Sequence, residues 1–173
     1  MLVTKKSDHG QPFTLENRIP LFIYFPDLRG TVGRLSNNTQ NINIASTILA
    51  LIGVEKQKWM SGRHSRLLDS QSNEFVISTG TSRSKSGESG WTLAEEYLEP
   101  PFYQFDFMNV IDCDRYYRLN LEDLTWSNGI VLSYVGTCDE AEYATSSEIR
   151  ELIINRLIED GFEFDQNDIP EIN

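Results

Sequence analysis

Apolar and polar positions divide the chain into a front part with continuous apolar runs and a remainder with short, alternating ones. Residues 19–25 are apolar almost throughout and are bounded by Pro26 and by the turn-forming Gly30 and Gly33. That pattern predicts a buried strand, and a run apolar on both faces suits a parallel sheet covered by helices. In residues 44–52, Ile44, Ile48, Leu49, Leu51 and Ile52 recur at helical spacing. Asn43 is placed to cap the start of that helix and Gly53 to close it.

Beyond Gly62 the pattern changes. Residues 74–79 read as a strand, and residues 80–90, rich in Ser and Gly with no apolar side chain, read as a mobile loop. Further strands are expected at 104–111, 116–121 and 130–135, the last two separated by a polar turn spanning Glu122, Asp123, Asn128 and Gly129. The clearest element follows. Thr145 and Glu148 have the spacing of a capping box, and Ile149, Leu152, Ile153, Leu157 and Ile158 form a stripe that closes at Gly161, so a helix is predicted over 146–160. The acidic tail, 163–173, is expected to fray. The fold class that emerges is α/β, a partial parallel-sheet core edge, followed by an α+β subdomain with an antiparallel sheet and a C-terminal helix. Its expected divisions are 1–70, 71–165 and a tail at 166–173.

With 173 residues, 39 % of them hydrophobic, the chain has material for a real core. Fifteen basic against 26 acidic side chains leave a net charge of −11, which would repel a nucleic-acid backbone. The apolar run at 19–25 is far shorter than the roughly 20 residues of a bilayer-crossing helix, and Lys5, Lys6, Asp8 and His9 interrupt any signal-peptide pattern. Met1 leads directly into the strand-like residues 2–4, so a cut edge of a larger domain is expected there. The two cysteines, Cys113 and Cys138, leave a cross-strand disulfide and two half-buried thiols as alternatives.

Asp8 and His9 follow that first strand-like stretch and precede Gly10, the place where open α/β sheets put ligand-binding residues. A carboxylate beside an imidazole can supply two ligands to a divalent ion, short of the about three protein ligands of a catalytic site. His64, in a polar turn with Arg63 and Arg66, is expected to be solvated. No serine lies in a GxSxG elbow, and no phosphate-cradling GxxxxGK[ST] or HExxH motif occurs.

Four motifs occur in order: SDHG at 7–10, RIPLFIYFP at 18–26, INIASTILALIGV at 42–54, and WMSGR at 59–63 followed by Leu67 and Leu68. In that order and at those distances they resemble the C-terminal part of the sulfatase branch of the alkaline phosphatase superfamily, which includes arylsulfatases and phosphoglycerol and phosphoethanolamine transferases. The match covers about residues 2–68. The resemblance implies that Asp8 and His9 are metal ligands for Ca²⁺, Mn²⁺, Zn²⁺ or Mg²⁺, weakly held here. It also implies a small-molecule or lipid-headgroup ester as substrate in the full-length family, and relatives that are often exported or anchored in the inner membrane facing the periplasm. Asn43 stands where that family usually has a capping Asp, and Ser46 where it has proline. The family's nucleophile motif, C/S-x-P-x-R, does not occur. The expectation is therefore a fragment without catalytic residues of its own, inactive alone, whose missing N-terminal half could act in trans. The alternative is a non-catalytic interaction protein or a split-gene partner that completes an active site in trans.

Overall fold

A computed structural model of the chain describes residues 21–24, 38–60, 62, 74–80, 84–87, 90–93, 100–103, 105–131, 138 and 143–173. Helix α1 spans Ile42–Leu51. Strands β1 (Val76–Gly80), β2 (Ser84–Gly87), β3 (Gly90–Leu93), β4 (Phe107–Asp112), β5 (Arg115–Asn120) and β6 (Trp126–Ile130) follow. Helix α2 (Ser146–Glu159) and a 3-10 turn at Gln166–Asp168 complete the chain.

Four strands form one antiparallel sheet in the order β1-β4-β5-β6, and β2 and β3 form a separate hairpin. The expected α/β class with a parallel-sheet edge is therefore corrected to a small α+β fold. Every strand pairing among the described residues is antiparallel. Of the run read as a parallel strand, residues 21–24 are irregular, and Phe22 is 90 % exposed. The reason is one of partners: an apolar run becomes a buried strand only where neighbours pair its backbone and layers cover both faces. The start of that run, and residues 2–4, lie outside the described residues.

The core is a seam between α2 and one face of the sheet. Met108 and Val110 of β4 stand opposite Leu119 and Tyr117 of β5, and these side chains meet Ile149, Ile153, Ile154 and Leu157 of α2. Because side chains alternate along a strand and recur every three to four positions along a helix, these few positions define one continuous apolar surface. The helix starts as its sequence predicts. Thr145 Oγ1 accepts the Glu148 N–H (3.3 Å), and the Glu148 carboxylate accepts the Thr145 N–H (2.8 Å). It ends in a Schellman motif, in which Phe162 N–H donates to the Leu157 carbonyl and Gly161, at φ 89°, donates to Ile158. Helix α1 ends the same way, through Val54 to Leu49 and Gly53 to Ala50.

Three local expectations change. Strand β6 begins at Trp126 rather than at residue 130. The turn is made at 121–125, where Asn120 N–H bonds the Thr125 carbonyl and Asp123 receives the Thr125 N–H and hydroxyl. Asn128-Gly129 is thus strand rather than turn. A Cβ on Gly129 would stand 2.8 Å from the Tyr116 ring, so the glycine is what lets the ring lie there. The Ser-rich stretch contributes the β2–β3 hairpin instead of only a loop.

The acidic tail is packed, not frayed. Ile169 and Ile172 are buried in the core, and Phe162 and Phe164 stack on Phe102. Arg150 holds the returning backbone: its guanidinium donates to the carbonyls of Ile169 (2.6 and 3.0 Å), Gln166 (3.0 Å) and Pro170 (3.3 Å), and Trp126 Nε1 also donates to Pro170. The two buried isoleucines at 169 and 172 outweigh the terminal charge pattern that suggested fraying.

Two outcomes are expected. Arg150→Met should lower unfolding stability by about 1.5–3 kcal/mol, the range for hydrogen bonds from a charged group, in urea denaturation, and should speed proteolysis beyond residue 160. The Glu148 carboxylate is held below the ordinary glutamate range by the backbone N–H and hydroxyl of Thr145. A depressed folded pKa contributes stability that is complete above the unfolded value of about 4.3 and is lost as pH falls through the folded one. The gap in thermal midpoint between the parent and Glu148→Ala should therefore be constant from neutral pH down to about 5 and close at lower pH.

Candidate functional site

Asp8 and His9 lie outside the described residues, as do Arg63, His64 and Arg66. Among the described residues no group of three His, Cys, Asp or Glu side chains could hold a metal ion, and no helix is long and apolar enough to cross a membrane. What the structure does show is how the motif-bearing segment is attached to the rest of the fold.

That attachment is polar. Helix α1 buries Asn43, Ser46 and Thr47, while the predicted apolar stripe faces outward: Ile48, Leu51 and Ile52 are exposed, the last at 66 %. Asn43 is not the cap, a position taken by Asn41 without a side-chain bond. At 1 % exposure it sits inside the first turn, and its amide donates to Glu74 Oε2 (2.6 Å) and Thr39 Oγ1 (3.1 Å). The same Glu74 oxygen accepts the Thr39 hydroxyl and the Gln40 N–H, both at 3.3 Å. A buried amide facing a carboxylate is satisfied by this charge-assisted contact, which offsets the cost of burying both.

Gln40 has a second role. Its carboxamide donates to the Phe75 carbonyl (2.9 Å) and accepts the Ile77 N–H (3.3 Å), mimicking a paired strand at the outer edge of β1. An edge blocked in this way offers fewer free backbone groups to another chain. The remaining fixed point is Gly62. A Cβ there would lie 1.9 Å from the Ile42 carbonyl oxygen and 3.0 Å from Ser46 Oγ, so backbone approaches backbone where only glycine fits. Lys56 Nζ closes this loop by donating to the Gly62 carbonyl at 3.0 Å. The hidden signal in the sequence was Asn43, Ser46 and Thr47, small polar residues at helical spacing within an apolar run.

The β4–β5 turn forms a second cluster. Its loop is Cys113-Asp114, and Cys113, at φ 58°, occupies the left-handed position usually taken by glycine in such hairpins, at a cost of roughly 1–2 kcal/mol. Cys113 and Cys138 are joined in a disulfide, which resolves the two alternatives the spacing left open. With a separation of 25 residues, the closed loop contributes about 3–4 kcal/mol in the chain-entropy picture. Around it, Tyr143 donates its hydroxyl to Asp114 (2.6 Å), Arg115 lies 3.7 Å over the Tyr143 ring, and Asp112 accepts the Ala144 N–H (2.8 Å). By accepting this hydrogen bond Asp114 keeps the proton on Tyr143 and pushes it above the ordinary tyrosine value.

On the sheet face away from α2, Ser78, Asn109 and Arg118 stand in one row across β1, β4 and β5. Arg118 donates to Asn109 Oδ1 at 2.7 Å and lies over the Phe107 ring at 4.2 Å, and burial lowers its pKa. These contacts satisfy a buried polar row and contain no nucleophile with a base. A cavity of about 310 Å³ beside α1 is lined by Ser46, Ala50, Val54, Glu55 and Lys56, again without such a pair.

Comparison with known proteins finds no match to a family model, a curated protein or a solved structure.

Gly62→Ala should cost about 1–3 kcal/mol, the range for forced overpacking, because the Ile42 carbonyl cannot retreat without opening the first turn of α1. Equilibrium unfolding measures the loss, and hydrogen exchange should place it in residues 42–51 rather than in α2.

Proposed function

We propose that the chain is a C-terminal portion of a metal-dependent sulfuric- or phosphoric-ester hydrolase or transferase resembling the sulfatase branch. In this reading Asp8 and His9 are two ligands of a divalent ion, and the nucleophile is supplied by a polypeptide segment outside these 173 residues. The observation that carries it is the outward apolar surface of the motif-bearing segments. Phe22 and Tyr24 in the second motif, Ile48 and Ile52 in the third, and Trp59 in the fourth, at 81 %, are all exposed. Large apolar side chains left exposed in three of the four motifs, one of them on a helix held by polar contacts, mark surface made to be covered. The order of the four motifs supports the same reading. An aspartate and a histidine suit a divalent ion chemically, and such an ion, when bound, neutralises charge on the transferred group and lowers the nucleophile's pKa. The chain's own contribution would be to hold that ion.

The same exposed surface also favours a second reading, a non-catalytic partner that completes a site in trans. One set of measurements separates the two. Titration of Mn²⁺ or Zn²⁺ into the purified chain should show weak binding that is lost in the Asp8→Ala/His9→Ala variant; binding unchanged by those substitutions would remove the ligand assignment and leave the non-catalytic reading. Assayed on aryl sulfate and aryl phosphate esters with the same ions, the chain alone should show no turnover. Turnover that disappears in Asp8→Ala would instead mean that a nucleophile lies within the chain.

A further inference from the structure

We propose that the Cys113–Cys138 disulfide is a redox latch on the docking of α1. The link between them is one carbonyl. Cys113 is held at φ 58°, and in that conformation its carbonyl oxygen accepts the side-chain amide of Asn38 at 2.6 Å, across 75 residues of sequence. Asn38 in turn accepts the Glu74 N–H through its own carbonyl at 3.1 Å, so it bridges the β4–β5 turn and the entry to β1. Two and five residues later come Gln40 and Asn43, which fasten α1 to Phe75, Ile77 and Glu74. The orientation of the Cys113 peptide therefore sits at the head of the polar contacts that hold α1 on the sheet.

An L-residue keeps a left-handed backbone conformation only where its surroundings over-determine it. The two-residue hairpin loop supplies part of that restraint, and the disulfide adds to it from the side chain. Its two residues differ in exposure: Cys113 is buried at 1 %, whereas Cys138 is partly exposed. A dithiol reductant reaches Cys138 first. Its thiolate attacks the Cys138 sulfur, the S–S bond breaks, and the Cys113 sulfur leaves with the electron pair and takes up a proton. The reductant's second thiol then displaces the Cys138 sulfur from the mixed disulfide and departs as a cyclic disulfide. Two electrons and two protons are transferred and two thiols remain. With the side chain released, the hairpin alone holds Cys113 at positive φ, its carbonyl is less firmly aimed, and the Asn38 contact weakens. Tyr143, Arg115 and Ala144 still hold the turn to the entry of α2, so the sheet and α2 stay assembled. This latch is independent of metal chemistry at Asp8 and His9.

Hydrogen exchange of the full chain, oxidised and after dithiothreitol, tests it. Reduction lowers global stability and so quickens residues 149–157, which exchange through global unfolding. The latch is read between two uncrosslinked variants, where exchange in residues 39–51 should differ about five- to tenfold, the factor set by one ordinary hydrogen bond, while residues 149–157 exchange alike. A pair of variants separates backbone restraint from general stabilisation. Cys113→Gly with Cys138→Ser tolerates positive φ without a crosslink and should keep α1 protected, whereas Cys113→Ser with Cys138→Ser should match the reduced protein. Equal exchange in residues 39–51 before and after reduction, or equal exchange there in the two variants, would each overturn the latch.

Discussion

Everything else in the fold is arranged around the seam where α2 lies on β4 and β5. Met108, Val110 and Leu119 on the sheet and Ile149, Ile153 and Leu157 on the helix are almost completely removed from water, and each buried aliphatic side chain contributes on the order of 1.5–3 kcal/mol. The seam also determines how the chain must end. Ile169 and Ile172 complete the same cluster, and once they dock, the backbone carbonyls around them need donors, which Arg150 and Trp126 provide. Burial sets the path of the tail and hydrogen bonding fixes its register.

The front of the chain is attached by a different physics. Helix α1 touches the sheet region through amides, hydroxyls and one carboxylate, and most of its larger apolar side chains, Ile42, Ile48 and Leu51, are exposed. Polar contacts of this kind are directional and individually modest, so they specify where a segment sits more than how strongly it is held. Apolar seams behave the other way round. A segment bound by the first and displaying the second is suited to being covered by a further surface.

Between the two regimes stands the β4–β5 turn. It carries a cysteine where hairpins usually carry glycine, ties that residue to Cys138, and lends its carbonyl to Asn38. One turn thus communicates with the apolar core through β4 and β5 and with the polar attachment through a single backbone oxygen.

The local signals in the chain are strong where a short stretch satisfies its own backbone. The α2 helix, its Thr145–Glu148 capping box, the Gly53 and Gly161 terminators and the alternating strands β4 and β5 were all determined by residues within a few positions of each other. The resemblance that singled out Asp8 and His9 also rests on short local motifs, and both residues lie outside the described part of the fold. What the chain alone could not decide was every choice between two faces or two partners. The apolar stripe of α1 announced a buried face, yet Glu74, thirty-one residues away, and the close pass of Gly62 turned its polar side inward. Asn128-Gly129 announced a turn, yet the Tyr116 ring needed a flat place to lie. The run at 19–25 announced a parallel strand, yet the strands that pair in this fold pair antiparallel. Periodicity reports that a segment has an apolar side; only the tertiary structure supplies the neighbour that decides whether that side is buried.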